Sequence, residues 1–293
     1  MRRLDVFSPA KINLGLRVLR RRPDGYHGID SIVVPLSFGD TVRLRERRSG
    51  FSLSCSDSRL PVDRRNLALR AAQLFFERTG LRGGVSIRIE KRIPVAAGLG
   101  GGSSNAAAVL LGLRRLTRSR VSVRTLARWG LDLGADVPFF VHRRAARVEG
   151  IGERIRPLRR APNYWYLLVN PGFPVSTRWV YRRLDLRLTK KISKNIMRRV
   201  QYPPKPSNLL RNDLERVVRE RHPLVDDLKR LLLEAGALGA AMSGSGPTVF
   251  GVFESEAAAK EGLARIKTVK RKCPKKWLVV LARGLSRGSP RLG

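Results

Sequence analysis

The stretch Ile93-Pro94-Val95-Ala96-Ala97-Gly98-Leu99-Gly100-Gly101-Gly102-Ser103-Ser104-Asn105 decides how the rest of the chain is interpreted. It places four glycines and two hydroxyl side chains within seven residues. The segment before it, from Val85 to Glu90, alternates β-branched and polar residues and predicts a strand. The segment after it, from Asn105 to Leu116, has apolar residues at helical spacing. We therefore predict a strand, a glycine loop and a helix in succession.

A glycine loop that leads into a helix is suited to binding phosphate. The first amides of a helix lack intrahelical partners and carry partial positive charge, and glycines let an anion approach them closely. Two better-known phosphate loops are excluded, because no lysine follows the glycines and Ser103 stands where a dinucleotide motif needs its third glycine. A flexible hinge is the structural alternative, although the two serines occupy a position where we expect the helix N-cap.

The composition indicates a globular protein with one or two domains. The chain has 293 residues, of which 42% are hydrophobic, and no apolar run approaches the roughly 20 residues that a membrane helix needs. The N-terminal residues lack the apolar core of a signal peptide, so we predict a cytoplasmic protein. The two cysteines, Cys55 and Cys273, are too far apart in sequence to indicate a zinc site or a disulfide framework.

The net charge is unusually positive, since 60 Lys and Arg residues against 23 Asp and Glu residues give +37. Three explanations remain open. The excess can be a solvated basic surface, it can speed the capture of an anionic substrate, or it can bind nucleic acid. The basic residues are spread along the chain, and the sequence has no zinc-finger spacing or aromatic RNA-binding signature, so nucleic acid is the least favoured of the three.

The N-terminal region predicts two strands, from Leu4 to Phe7 and from Ile12 to Leu19. Pro9 between them lacks an amide hydrogen for ladder pairing and predicts a turn. The turn is expected to place Lys11 and Asn13 at the end of a strand, on one side of it, because side chains alternate every two residues.

A single carboxylate, Asp136, lies among small and apolar residues in the segment Leu133-Gly134-Ala135-Asp136-Val137-Pro138. Such a setting is poorly explained by a solvated surface charge. The structural alternative is a helix N-cap with Pro138 in the first turn. A catalytic carboxylate also needs a constrained, dry position, and the two roles are compatible.

The second half of the chain contains another loop of small residues, Met242-Ser243-Gly244-Ser245-Gly246-Pro247, followed by a predicted strand. Helices are predicted from Thr177 to Leu184, from Asn212 to Glu220, from Leu224 to Ala235 and from Ser255 to Ile266. The segment from Lys190 to Pro206 is basic and proline-containing and predicts an exposed, mobile insertion.

Three separated segments resemble the signature motifs of the GHMP small-molecule kinases. They are Ser8-Pro9-Ala10-Lys11-Ile12-Asn13-Leu14, the loop from Pro94 to Ser104, and Ser243-Gly244-Ser245-Gly246-Pro247. Within this superfamily, Pro23-Asp24-Gly25-Tyr26-His27 and the segment around Asp136 resemble the branch that phosphorylates a cytidine diphosphate derivative of methylerythritol in the non-mevalonate route to isoprenoids.

The resemblance implies an α+β, two-domain GHMP kinase fold. The expected N-terminal domain, 1–158, is ribosomal-protein-S5-like and carries the ATP-phosphate loop, and the expected C-terminal domain, 159–293, is ferredoxin-like. The resemblance also implies that ATP is the co-substrate, that Mg²⁺ accompanies it, and that the active site lies in the cleft between the domains.

Roles for individual residues follow from the same resemblance. Lys11 and Asp136 are the expected catalytic pair, with Asp136 as general base and Lys11 as charge stabiliser. The expected ATP-binding residues are Pro94, Val95, Ala96, Ala97, Gly98, Leu99, Gly100, Gly101, Gly102, Ser103 and Ser104. The expected substrate-binding residues are Asn13, Tyr26, His27, Thr177 and Tyr181, with Tyr26 and His27 near the cytosine. Either Ser103 or Ser104 could contact the magnesium.

Other functions remain open at this point. A GHMP kinase of another specificity, such as homoserine or mevalonate kinase, shares the glycine loop, and a basic nucleic-acid-binding protein would use the net charge. A histidine after Gly-Tyr could also simply stabilise a turn. The expected partners are a small cytidine diphosphate substrate, no membrane and no nucleic acid, and the expected assembly is a monomer or homodimer.

Overall fold

The protein was studied as a computed structural model that describes residues 1–159, 162–184, 209–271 and 277–285. The insertion predicted from Lys190 to Pro206 lies outside the described residues. The strands of the described chain are β1 (Arg3–Arg21), β2 (His27–Arg47), β3 (Gly50–Cys55), β4 (Gly84–Glu90), β5 (Ala146–Gly150), β6 (Arg154–Pro157), β7 (Trp165–Asn170), β8 (Arg211–Asn212), β9 (Gly239–Met242), β10 (Val249–Phe253) and β11 (Leu278–Arg283). The helices are α1 (Leu67–Thr79), α2 (Gly101–Leu116), α3 (Val123–Leu131), α4 (Val137–His142), α5 (Thr177–Arg183), α6 (Glu215–Arg221), α7 (Leu224–Glu234) and α8 (Glu256–Arg271).

The described strands form two sheets, so the predicted α+β class is confirmed. In the first sheet the strand order is β3-β4-β2-β1-β8, and β5 pairs with the other end of β2 and with β6. The second sheet has the order β11-β7-β10-β9 and is antiparallel throughout. Apolar residues of both sheets, including Ile12, Val34, Tyr166 and Phe250, share one buried cluster. The site described below lies next to this junction.

The two strands predicted in the N-terminal region, from Leu4 to Phe7 and from Ile12 to Leu19, form one long strand, β1. The turn expected at Pro9 is wrong, because β1 runs without interruption from Arg3 to Arg21 and pairs along its length with β2. Pro9 is accommodated opposite Gly39, where any Cβ would lie 2.8 Å from the Pro9 Cα, and the register shifts between Pro9 and Lys11. A bulge of this kind absorbs a residue that cannot donate to the ladder. Lys11 and Asn13 therefore lie within a strand and not at its end.

The helix after the glycine loop begins earlier than predicted. It starts at Gly101 instead of Asn105, and its N-cap is Gly100 in the left-handed conformation, with φ of 72°. A glycine takes this conformation without the steric penalty of a Cβ. The predicted N-cap role of Ser103 and Ser104 is therefore wrong, since both serines lie inside the first turn.

Several other elements agree with their predictions. The sequence from Val123 to Leu131 predicts a short helix, and α3 has these bounds. The helical spacing of apolar residues from Asn66 to Arg78 predicts α1, and Asn66 caps this helix by accepting a hydrogen bond from the Ala68 amide at 3.0 Å. The helix predicted from Asn212 begins only at Glu215, because Arg211 and Asn212 extend the first sheet by pairing in parallel with β1. This short pairing joins the C-terminal half of the chain to the first sheet.

Candidate active site

A cleft of about 1350 Å³ gathers most of the residues that the sequence singles out. The predicted site residues that line it are Lys11, Asn13, Tyr26, His27, Pro94 to Gly98, Gly100 to Ser103, Asp136, Thr177 and Tyr181. Two predicted ATP-binding residues do not line it, namely Leu99 and Ser104, whose exposed fractions are 2% and 1%. Their side chains belong to the protein interior.

Lys11 is positioned by the bulge in β1. The shift in register turns its backbone amide away from β2, and this amide donates to the carbonyl of Leu99 at 3.0 Å. The side chain is almost fully buried, and its Nζ donates to Asn13 Oδ1 at 2.5 Å. The strand thus binds the glycine loop with its backbone and presents an ammonium beside it.

Asn13 is held by a chain of hydrogen bonds that fixes its orientation. Its Nδ2 donates to Ser31 Oγ at 2.8 Å, and Ser31 Oγ donates to the Gly15 carbonyl at 2.6 Å. Because the amide nitrogen is committed to Ser31, the amide oxygen faces Lys11. Asn13 therefore acts as an acceptor that orients the ammonium.

The electrostatic setting of Lys11 is governed by burial and by Asp136. Burial lowers the pKa of Lys11 below its usual value, and the negative charge of Asp136 acts in the opposite direction. Asp136 occupies the N-cap position of α4, as the structural alternative predicts, but its side chain makes no capping hydrogen bond. Its carboxylate is therefore not committed to the helix, and the residue lines the cleft.

The glycine loop follows a backbone path that few side chains allow. Ala96, Gly98 and Gly100 have φ of 51°, 74° and 72°. A Cβ at Gly98 would lie 2.1 Å from the Ser243 carbonyl oxygen, and one at Gly100 would lie 2.8 Å from the Phe140 ring. Glycine is required at both positions, because the left-handed conformation coincides with a close contact.

The two serines of the loop have different surroundings. Ser104 is buried, and its Oγ accepts a hydrogen bond from Ser8 Oγ at 2.8 Å. Ser103 lines the cleft, and its Oγ lies 3.8 Å from the position of a Cβ at Gly134, two residues before Asp136. Of the two, Ser103 has a hydroxyl that a ligand in the cleft can reach.

The second small-residue loop, 243–247, packs against Lys11. Ser243 Oγ donates to the Gly98 carbonyl at 3.0 Å, which joins the two glycine loops. A Cβ at Gly244 would lie 3.2 Å from Lys11 Nζ and 3.1 Å from the Gly98 carbonyl oxygen. Asn212 holds this loop from the other side, because its Nδ2 donates to the carbonyls of Met242 and Gly244 at 2.8 and 2.7 Å.

Aromatic residues form the far end of the cleft. The rings of His27 and Tyr181 stack with their centroids 5.2 Å apart at an interplanar angle of 28°. Burial and the nearby Arg21 lower the pKa of His27, so its imidazole is neutral at pH 7 and offers one donor and one acceptor. The pKa of Tyr181 is raised by burial and by Asp136. Tyr26 remains 62% exposed beside them.

Thr177 connects this end of the cleft to the second loop. Its Oγ1 shares a hydrogen bond with Ser245 Oγ at 2.8 Å, and the preceding Ser176 caps α5. Helix α5 carries Tyr181 one turn further on. The structure therefore brings together the residues from distant parts of the sequence that the resemblance groups in one site.

Sequence reasoning missed two charged residues beside the loop, Asp40 and Lys91. Asp40 is fully buried and forms an ion pair with Lys91, which lines the cleft. The sequence predicts separate strands before and after Ser37–Asp40, so Asp40 looks like a turn residue. The cleft is also lined by four arginines that were not singled out, namely Arg21, Arg65, Arg178 and Arg182. The only available signal for them was the general excess of arginine.

In the described part of the chain, no group of three or more His, Cys, Asp and Glu side chains could hold a metal ion. Among those same residues, no helix is both long and apolar enough to cross a lipid bilayer.

Comparison with known proteins gives consistent results. The model of the GHMP kinases N terminal domain matches residues 66–144, and that of the GHMP kinases C terminal matches residues 205–272. The 4-diphosphocytidyl-2-C-methyl-D-erythritol kinase of Syntrophus aciditrophicus is 44% identical over 96% of this chain and 99% of that protein.

Two solved structures locate the fold. A crystal structure of 4-(cytidine 5'-diphospho)-2C-methyl-D-erythritol kinase matches 96% of this chain and 100% of its own, with a TM-score of 0.81 and 34% identity. Homoserine kinase from Cytophaga hutchinsonii matches 96% of this chain and 95% of its own with a TM-score of 0.76, but at 20% identity it shows a shared fold alone. The predicted GHMP kinase fold and the prediction of a small-molecule kinase are thereby confirmed. This chain belongs to the GHMP kinases and, within them, to the family of 4-diphosphocytidyl-2-C-methyl-D-erythritol kinases.

Proposed function

We propose that this protein transfers the γ-phosphoryl group of ATP to the 2-hydroxyl of 4-diphosphocytidyl-2-C-methyl-D-erythritol, in the non-mevalonate route to isopentenyl diphosphate. The names of its relatives support this substrate. The observation that carries the proposal is the position of Lys11, whose ammonium is buried against the second glycine loop and acts electrostatically with Asp136. In such a pair the carboxylate can accept a proton from the substrate hydroxyl, and the ammonium can compensate the negative charge on the same oxygen.

The first glycine loop provides the phosphate site. The first residues of α2, Gly101 to Ser103, line the cleft, and the first amides of a helix have no intrahelical partners. They would hold the ATP phosphates by hydrogen bonds while the partial positive charge of the helix end offsets their charge. Phosphoryl transfer depends mainly on alignment of the reacting groups and on compensation of charge, and the loop would contribute to both.

Asp136 and Lys11 act on the alcohol. Asp136 would accept a hydrogen bond from the substrate hydroxyl and take its proton as the new P–O bond forms. Lys11 would stabilise the developing negative charge on that oxygen. Asn13 orients the ammonium for this task through its Oδ1.

Magnesium fits this site if the nucleotide supplies most of its ligands. The described residues bring no cluster of three metal-binding side chains together, and Mg²⁺ is commonly bound through substrate phosphates and few protein oxygens. Of the two serines in the first glycine loop, Ser103 is the one that lines the cleft, and its hydroxyl would contact the ion. The ion would neutralise charge on the phosphate oxygens.

The aromatic end of the cleft is suited to the cytosine. A base between His27 and Tyr181 would need ring separations of about 3.5 Å on each side, or about 7 Å in total, and the two rings are only 5.2 Å apart. The base therefore stacks on a free face of this pair, with the exposed Tyr26 available to cover it. His27 would donate or accept one hydrogen bond, and Thr177 lines the same region.

Further expectations accompany this function. We propose a division into domains 1–158 and 159–293, a cytoplasmic location, and a monomer or homodimer that does not use nucleic acid as a partner. The first sheet takes strands β1 to β6 from before the proposed division and the second sheet takes its four strands from after it, which supports the division, and β8 is the strand after the division that pairs with the first sheet.

A side-by-side assay tests the proposed function. The purified protein is incubated with ATP, Mg²⁺ and one of three alcohols, namely 4-diphosphocytidyl-2-C-methyl-D-erythritol, homoserine or mevalonate, and ADP formation is followed. We expect turnover with the cytidine diphosphate alcohol alone. Preferred turnover of homoserine or mevalonate would instead assign another GHMP kinase specificity.

A further inference from the structure

Asp40 is a fully buried carboxylate that satisfies four donors beside the phosphate loop. Its Oδ1 accepts hydrogen bonds from the backbone amides of Arg92 and Ile93 at 2.7 and 2.9 Å. Its Oδ2 accepts from Lys91 Nζ at 2.5 Å and from Asn105 Nδ2 at 2.9 Å. The exposed fraction of Asp40 is 0%, so none of these contacts is shared with bulk solvent.

The four donors belong to the three parts of the molecule that surround the loop. Arg92 and Ile93 form the backbone that enters it, immediately before Pro94. Asn105 lies in the second turn of α2, the helix that leaves it. Lys91 lines the cleft, and its Nζ lies 3.0 Å from the position of a Cβ at Gly101, the first residue of α2. The side chain of Asp40 therefore binds the backbone segment before the loop, the helix after the loop and the lysine beside it.

A second contact extends the same network. Asn105 Nδ2 also donates to Ser8 Oγ at 2.9 Å, and Ser8 in turn donates to Ser104 Oγ. The network thereby reaches the first turn of α2, whose amides are proposed to hold phosphate. Burying a carboxylate is unfavourable unless it is paired and hydrogen-bonded. Here the charge of Asp40 is compensated by Lys91 and by the other three donors, which flank the loop.

We propose that Asp40 is a positioning residue for nucleotide binding, which sets the geometry of the phosphate loop and of Lys91 without touching the ATP itself. This inference rests on the proposed use of the loop for ATP. This position requires a carboxylate, because all four partners are hydrogen-bond donors and each carboxylate oxygen accepts from two of them. Asparagine offers one oxygen and one NH₂ group, so in either orientation two donors would face another donor.

The same strand provides a matched control in Asp30. It is also buried, with 6% exposed, and its two oxygens accept hydrogen bonds from Arg147 at 2.8 Å each. Neither Asp30 nor Arg147 lines the cleft. Asp30→Asn therefore disturbs a buried ion pair on β2 in the same way as Asp40→Asn, but away from the loop.

The experiment measures ATP binding and substrate kinetics in both variants. The dissociation constant of a non-hydrolysable ATP analogue is determined by calorimetry with Mg²⁺ and without the alcohol, so the result does not depend on which alcohol is phosphorylated. We expect Asp40→Asn to weaken binding about tenfold, equivalent to the loss of about one charged hydrogen bond, and Asp30→Asn to leave it within about twofold of wild type. The KM for the alcohol is expected to stay near the wild-type value in both.

Three outcomes would overturn the proposal. They are unchanged nucleotide affinity in Asp40→Asn, an equal loss in Asp30→Asn, and a rise in the KM for the alcohol as large as that for ATP. If Asp40→Asn does not fold, the double variant Asp40→Asn/Lys91→Met removes both charges together and avoids an unpaired buried ammonium. The same tenfold loss of nucleotide affinity is expected there, and wild-type affinity in that double variant would equally contradict a positioning role.

Discussion

The two glycine loops of this protein have similar compositions but opposite surroundings. The first, from Pro94 to Ser104, exposes Val95, Ala96 and Gly102 to the cleft, whereas every residue of the second, from Ser243 to Pro247, is buried. Strand β1 contacts both loops, because two of its three register shifts free the Lys11 amide for the Leu99 carbonyl and the Asn13 amide, at 3.4 Å, for Ser243 Oγ.

The difference shows that glycine serves two purposes here. In the first loop the missing side chains leave room for the protein at Gly98 and Gly100, and at the exposed Gly102 they leave the start of α2 open to the cleft. In the second loop they leave room for the protein itself, since Gly244 lies against Lys11 Nζ and Asn13 Oδ1. The first loop is therefore proposed to bind the nucleotide, and the second to press the catalytic ammonium into position. Substitutions in each loop should separate these two effects.

Among the substitutions in the two loops, the largest effect is expected for Gly244→Ala in the second loop. Its Cβ would lie 3.2 Å from Lys11 Nζ and the residue has φ of 55°, so the ammonium has to move. Because a displacement of about 1 Å from the reacting atoms lowers kcat by about a hundredfold, a shift of a few tenths of an ångström should lower it by about fivefold. Steady-state kinetics should show this loss of kcat with little change in the KM for ATP.

Gly236→Ala is the control for that substitution. Gly236 has φ of 96°, but a Cβ there would meet nothing within 4 Å. Alanine at position 236 is strained by a positive φ, as alanine at position 244 is, but it does not contact Lys11. We therefore expect a small loss of stability and a wild-type kcat. An equal fall of kcat in both variants would show that the second loop has no specific role.

The pH dependence of kcat/KM should show an effect of intermediate size. Burial lowers the pKa of Lys11 from its ordinary value of 10.5, so the ammonium loses its proton as the pH rises through this lowered value. The alkaline limb of kcat/KM should therefore lie below pH 10.5. Bound ATP adds negative charge beside the ammonium and raises its pKa, so the limb of kcat should lie at higher pH than that of kcat/KM.

Lys11→Arg provides the comparison for the pH profile. Arginine keeps its charge throughout the accessible range, so any residual activity of the variant should lack this alkaline limb. If the limb persists unchanged, another group is responsible for it.

The smallest effect is expected for Gly102→Ala in the first loop. Gly102 lies in the first turn of α2, and a Cβ there would approach only Leu67 Cδ1, at 3.9 Å. Alanine in a helix should raise the free energy of unfolding by about 0.5 kcal/mol. The added methyl group stands at the edge of the proposed phosphate site, so we expect a rise in the KM for ATP of no more than about threefold. Thermal unfolding and kinetics check both, and a tenfold fall in kcat would contradict the distinction between the loops.

The sequence predicted local elements better than their connections. The amphipathic pattern located α3 to the residue, and the glycine loop was correctly placed between a strand and a helix. The continuity of β1 past Pro9 was not predictable, because it depends on Gly39 in the facing strand. The short strand β8 was missed for a similar reason, since its pairing partner lies nearly 200 residues away in the chain.

The candidate site shows the same limit. Lys11 and Asp136 were recognised because their motifs resemble those of a family, and the structure places both in one cleft. Asp40 has no such motif, and a lone aspartate after Gly39 is typical of a turn. Its importance depends on four donors supplied by residues from 91 to 105, and only the folded structure brings these donors to it.

The most direct test of the catalytic assignment is the turnover of Asp136→Asn measured together with its affinity for ATP. Asparagine keeps the shape of the side chain but cannot accept the proton, and general bases contribute about 10²–10⁴ to rate. The control is Asp132→Asn, an exposed aspartate of the same segment whose partner is Arg78. We predict that kcat of Asp136→Asn falls by about a thousandfold while the dissociation constant for ATP stays within about twofold of wild type, and that Asp132→Asn changes neither. Near wild-type turnover of Asp136→Asn would contradict the account.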